Sequence, residues 1–144
     1  MIVRKATASD LPAVGDLILE QSSLEPDQAI RLGTIHRVAC DAVIGGETLF
    51  VAVDDVVVGV CVWVEFPGDA TYVVAAGTFV AASHFRRGVG RALREAAEEY
   101  WTDKGATDIL ASVSVANEAG IESLLDFGFE HTGYEMAKHI GGSR

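Results

Sequence analysis

Basic residues are scarce in this chain, 11 Lys and Arg against 21 Asp and Glu, for a formal net charge of −10. A protein that grips nucleic acid must neutralise several phosphates with a spread of Lys and Arg, so this balance argues against that class of partner. A field of this sign favours cationic ligands such as amines. Cysteine is sparser still, with only Cys40 and Cys61. One falls in a predicted helix and the other in a Val-rich predicted strand, so each reads as a buried free thiol, and the cytoplasm is the expected compartment. No apolar run approaches the ~20 residues that span a bilayer, and Met1 to Lys5 leads into no apolar export signal, so no membrane partner is expected. The histidines have no metal-ligand spacing to a Cys or an acid, and no metal is expected. With three prolines and no repeat or low-complexity tract, all 144 residues read as one domain, 1–144.

The little positive charge there is collects in one place. Four of the eight arginines, Arg86, Arg87, Arg91 and Arg94, fall within nine residues of Phe85-Arg86-Arg87-Gly88-Val89-Gly90-Arg91-Ala92-Leu93-Arg94, where a predicted strand becomes a helix. A helix N-terminus already carries about half a positive charge, so crowding guanidinium groups there costs stability unless an anion joins them. Gly88 and Gly90 let successive backbone N–H groups point at that anion from close range. The plain alternative is a solvated basic helix start.

Along the chain, Ile2 to Thr7 reads as a strand, then a helix capped at Ser9 or Asp10 covers Leu11 to Ser23. Pro26-Asp27 opens a second helix that Gly45-Gly46 ends. Thr48 to Val53 and Val56 to Phe66 form a hairpin about Asp54-Asp55, and Thr71 to Val80 is a third strand. From Val89, apolar residues through Leu93, Ala97, Tyr100 and Trp101 recur at helical steps, which puts Tyr100 and Trp101 in the core. His36 reads as a helix-surface residue. Asp108 to Val115 is a strand reached by a crossover and hence parallel to the one before the helix. Asn117 starts a short helix that Gly128 ends, and Phe129 to Ile140 supplies one or two closing strands. The order β-α-α-β-β-β-α-β-α-β(β) is an α/β (α+β) architecture with six to seven strands in a mixed, mainly antiparallel sheet and about four helices.

This pattern resembles the GNAT superfamily of N-acyltransferases. The likeness rests on Val3 to Thr7 with Asp10-Leu11, on Phe79-Val80 with Arg86 to Leu93, on Asn117 to Phe129, and on Tyr134 to Lys138. Rossmann and Walker loops fit worse, since Leu93 stands where a third small residue belongs and no Gly-Lys-Ser/Thr occurs. The resemblance implies acetyl-CoA as acyl donor and an amine acceptor, with direct attack in a ternary complex. It assigns Thr78, Phe79 and Val80 to the pantetheine arm and Phe85, Arg86, Arg87, Gly88, Val89, Gly90 and Arg91 to the pyrophosphate. Asn117 matches a position that contacts the pantetheine or acyl end, and is equally read as a helix N-cap. It leaves room for a homodimer.

The chain departs from the family at Phe85, where Gln or Arg is usual, at Val74, where some members carry a glutamate base, and at Leu124, where many carry a tyrosine acid. An amine must be neutral to attack a thioester, so a base is needed directly or through water. Glu65 and Tyr72 are the candidate catalytic residues, with Asp69, Ser112 and Ser114 as further polar neighbours. Two functions are compatible with this pattern: an N-acetyltransferase, and a non-catalytic acyl-CoA-binding module in which the missing groups mark lost chemistry.

Overall fold

Val56 to Val64 is an almost unbroken run of β-branched and aromatic residues, the composition of a strand buried on both faces. In the computed structural model, which describes residues 1–24, 29–113, 115–133, 136 and 138–141, it is the middle of a five-stranded sheet. The strands are β1 (Ile2–Lys5), β2 (Phe50–Asp54), β3 (Val56–Phe66), β4 (Asp69–Val80) and β5 (Asp108–Ala111), adjacent in that order. The first four run antiparallel. β5 lies parallel to β4, reached through the crossover helix α3 (Val89–Asp103). The other helices are α1 (Leu11–Leu24), α2 (Ala29–Ile44) and α4 (Glu118–Asp126).

The alternation of β3 divides the core in two. Val60 and Val62, with Phe79 from β4, pack under Val14, Leu17 and Ile18 of α1 and Leu32, Ile35 and Ala39 of α2. The opposite face meets α3, and most closely at Gly59, where a Cβ would stand 2.9 Å from Leu93 Cδ1 and 3.0 Å from Val89 Cγ1. Trp101 is buried on α3, and Tyr100 stacks edge-on to it while the Lys5 and Lys104 ammonium groups sit 5.4 and 5.5 Å from its ring. His36 corrects the surface reading. Its ring lies over Gly15 of α1, where a Cβ would come within 2.9 Å of Nε2. β1 is tied to the start of α1 by a two-pronged ion pair, Arg4 Nη1 and Nη2 to Asp10 Oδ2 and Oδ1 at 2.8 and 2.9 Å.

The chain divides into two compact units, Met1–Ser112 and Val113–Arg144. The second holds α4, whose N-cap is Asn117, its Oδ1 accepting from Gly120 N at 2.9 Å. Among the described residues no strand is found after Ala111, so five stand where six to seven were expected. Tyr134, Glu135 and Ala137 of the expected closing strands lie outside the described residues, as do Pro26-Asp27 at the expected start of α2. β5 also stops short of Val115, which leaves Ser112 beyond the strand and Ser114 outside the described residues. The reason is in β4, where the partner edge bends away.

Candidate functional site

Register across the β3–β4 hairpin shifts once in mid-strand. Val62 stands opposite Gly77 but Trp63 opposite Ala75, so Ala76 is an extra residue, a β-bulge that bends β4. Glycine is required beside it because the Phe79 ring folds back over residue 77, and a Cβ there would lie 2.7 Å from Cε2 and Cζ. Pairing with β5 ends at Ala75↔Ala111, level with the bulge. From Ala76 to Val80 the far edge of β4 therefore has no strand partner among the described residues.

The segment after β4 is held from three directions. Ala81 N donates to Val58 O at 2.8 Å, and Ala82 N donates to Glu20 Oε1 of α1 at 2.8 Å. A short 3-10 turn, Ala82–His84, then brings His84 Nε2 to 2.9 Å from Asp54 Oδ2 at the β2–β3 turn. Ser83 Oγ lies 2.8 Å from His84 Nδ1, so both ring nitrogens are engaged. The His84 hydrogen bond leads in holding the Asp54 carboxyl below its usual range, with Arg87 adding to it through space.

Beyond this anchor the main chain turns outward. Arg86 takes φ 61°, a left-handed conformation that costs a non-glycine residue energy, and Gly88 takes φ 75° as the N-cap of α3. Among the described residues no partner is found for the backbone N–H groups of Arg86, Arg87, Gly88, Val89 and Gly90, and the first helical bond of α3 is Ala92 N to Gly88 O at 3.0 Å. Five successive donors with no partner among the described residues, at a helix N-terminus with exposed Arg86, Arg87 and Arg91 beside them, are groups whose chemistry suits an anion. Gly90 fits the same use. Its φ is not left-handed and an added Cβ would only touch Val80 and Thr78 methyls at 3.8 and 3.9 Å, so nothing within the chain demands glycine there.

The other expected residues are more scattered. Thr78 and Val80 face α3 beside Gly90, whereas Phe79 is buried in the α1 and α2 core and offers the edge only its backbone. Phe85 is exposed and Val89 is buried against Gly59. Arg94 is drawn away from the loop toward the sheet, where burial lowers its pKa and Cys61 is its electrostatic neighbour. Cys61 itself, buried 3.6 Å from Thr78 Oγ1, has its thiol pushed up to about 12 by desolvation and is inert. Asn117 belongs to the second unit, where it caps α4. Glu65 is exposed and stands opposite Val73 on the α3 face, while Tyr72, half-buried, lies on the other face, so the sheet does not bring the two candidates together. Glu20 and Asp54 were not singled out from sequence, because each acts on a partner far along the chain, while Glu47, an acid expected near the cleft, accepts from Glu65 N through Oε1 at 3.2 Å. Among the described residues no group of three or more His, Cys, Asp or Glu could hold a metal, and no helix is long and apolar enough to cross a membrane.

Known proteins share this arrangement. A mutant of the BH1408 protein from Bacillus halodurans superposes with a TM-score of 0.74 at 21% identity, over 97% of this chain and 99% of that one. The aminoglycoside N-acetyltransferase AAC(6')-Iy, solved in complex with CoA, gives 0.72 at 18% over 98% and 100%. Ribosomal-protein-alanine N-acetyltransferase from Brucella melitensis gives 0.73 at 23% over 92% and 86%. At such identities the likeness establishes the fold. No curated protein matches the sequence. The family model described as the Acetyltransferase (GNAT) family matches residues 18–129, a span that takes in the bulged strand, the loop from Arg86 to Gly90 and α4. The chain belongs to the GNAT family, as an acyl-CoA-dependent N-acetyltransferase whose acyl donor is acetyl-CoA.

Proposed function

We propose that this protein moves an acetyl group from acetyl-CoA to a primary amine, of a small molecule or a protein, by direct attack in a ternary complex. The observation that carries the site assignment is the run of five main-chain donors from Arg86 to Gly90 with no partner among the described residues, close to where β4 leaves its neighbour. In this reading the loop, with Arg91, holds the pyrophosphate and the open edge at Thr78, Phe79 and Val80 pairs with the pantetheine arm. Phe85, exposed at the loop entrance, leaves this recognition to the main chain. The family match runs from residue 18 to 129, across both compact units, which supports reading 1–144 as one acyltransferase domain. The acidic balance supports a partner other than nucleic acid, and two free cysteines support the cytoplasm.

Acetyl-CoA supplies an activated thioester. The protein's task is to bring a neutral amine to it, so that the N–C bond forms as the C–S bond breaks and the thiolate departs. The proton lost by the amine passes to water or to a nearby base. Glu65 lies on the α3 face and serves only through ordered water. Tyr72, on the same face as Val74, is the hydroxyl we assign to the departing sulfur. A thiol's low pKa makes the thiolate a fair leaving group, so a general acid worth ~10²–10⁴-fold elsewhere is less needed here.

The test is calorimetry with acetyl-CoA alongside thiol release with a panel of amines. Tight binding with amine-dependent thiol release is the expected result. Binding with no release from any amine would favour a non-catalytic acyl-CoA-binding module, to which the absent carboxylate at Val74 points. No binding at all would refute both.

A further inference from the structure

We infer that the acceptor is a small primary amine with an aromatic or aliphatic body, seated on the sheet corner formed by Phe66, Tyr72, Val74 and Leu110. This rests on the proposed function, because the seat is located from where the acetyl group must be delivered.

A donor anchored at Arg86 to Gly90 and paired along β4 points its arm from Val80 back toward Ala75, roughly 16 Å at the rise of a β-strand. That is where β5 pairing begins again, at Ala75↔Ala111, so the open edge closes and the arm can run no further. An acceptor must then approach this point from one face of the sheet. The α3 face is shut: Trp63 is 2% exposed and Val73 is fully buried.

The other face is open and apolar. Val74 stands opposite Val64 on β3 and beside Leu110 on β5, and Tyr72 lies two residues away on the same side. The Phe66 ring meets Tyr72 edge-on with centroids 6.3 Å apart. Phe66 and Leu110 are each 41% exposed, and Val64 continues the surface into the α1 and α2 core. Large apolar side chains gathered at one exposed spot mark a binding surface more often than chance.

Its rim carries charge of one sign. Asp69 in the β3–β4 turn is fixed by Thr71, which donates to Oδ1 from N at 3.0 Å and from Oγ1 at 2.7 Å, and those bonds hold its carboxyl below the usual range. Asp108 is the register partner of Tyr72, and Thr107 Oγ1 donates to its Oδ2 at 2.8 Å. An ammonium group is met by these carboxylates while an apolar body covers the rings. A polyhydroxylated amine would leave its hydroxyls unpaired against the same corner.

The experiment compares phenethylamine with ethanolamine, equal in charge and different in body. Wild-type kcat/KM is expected to favour phenethylamine by a hundredfold or more. Phe66→Ala and Leu110→Ala are each expected to cut that value about tenfold through KM, with a several-fold smaller loss for ethanolamine and with acetyl-CoA affinity as it was. Parity between the two amines, or equal losses for both in the variants, would overturn the seat while leaving the acetyltransferase reading intact. Calorimetric titration of phenethylamine onto the CoA complex reads the seat without turnover: weaker binding in Phe66→Ala than in wild type supports it even if no thiol is released, and no binding by the wild type refutes it.

Discussion

Two glycines two residues apart do different work. Gly88 is needed by the chain itself, because at φ 75° any side chain is strained, whereas Gly90 has no left-handed φ and an added Cβ would meet only ordinary contacts with Val80 and Thr78. Alanine at each position separates the two. Gly88→Ala is expected to lower stability by about 1 kcal/mol. Gly90→Ala, in the first turn of a helix, is expected to raise it by up to about 1 kcal/mol, yet to weaken acetyl-CoA binding at least tenfold by filling the gap between α3 and the end of β4. Thermal melts read the first effect and calorimetry the second, and unchanged affinity in Gly90→Ala would remove that residue from the proposed donor site. The loop was legible in the sequence because its signal is local: crowded arginines with Gly88 and Gly90 at a strand-to-helix junction. The left-handed turn at Arg86 was not, since a non-glycine residue gives no such hint. The anchors Glu20 and Asp54 were not legible either, since an acid on a helix or in a turn is ordinary until its partner, 62 or 30 residues away, is seen.

Elements were legible where periodicity is strong, and their ends were not where a neighbour decides them. β3 ends as expected, but β5 breaks off at Ala111 although Val113 and Val115 continue the alternation, because the bulge has taken its partner away. A bulge depends on how Gly77 and Phe79 pack, which alternation alone does not reveal. At the other side of the sheet, β1 and α1 are joined through Asp10, which is buried and accepts from both Arg4 prongs and from Thr7 N at 2.7 Å. The Arg4 hydrogen bonds lead in lowering its pKa to about 2 from an ordinary 3.8. A carboxyl depressed in this way contributes stability that is complete above about pH 4 and is lost as the pH falls toward about 2. With the Arg4 side chain partly in solvent, that contribution is about 1–2 kcal/mol. Asp10→Asn is therefore expected to lose it at neutral pH and to show a flatter acid limb between about pH 4 and 2, by urea melts across that range. A parallel, undiminished acid limb would mean other carboxylates dominate.

Taken whole, the chain is strongly anionic apart from the arginines clustered at the start of α3, so in the proposed reading one field serves two charges of ligand. A cationic acceptor is drawn by the general field and an anionic donor by the local exception. Added salt is expected to raise KM for a cationic amine severalfold between low and high ionic strength, measured by thiol release at saturating acetyl-CoA, and a flat dependence would mean the field plays no part. The five amides from Arg86 to Gly90 carry a consequence for the protein's lifetime in a cell. Among the described residues they have no hydrogen-bond partner, so in the proposed reading the donor would complete the folded state as well as feed the reaction. A ligand at a hundred times its dissociation constant adds about 2.7 kcal/mol to folding. If the donor binds there, a full coenzyme pool is expected to slow opening and proteolysis and a depleted pool to hasten clearance, which would tie the abundance of the catalyst to the supply of its own substrate; equal proteolysis rates with and without acetyl-CoA would exclude this.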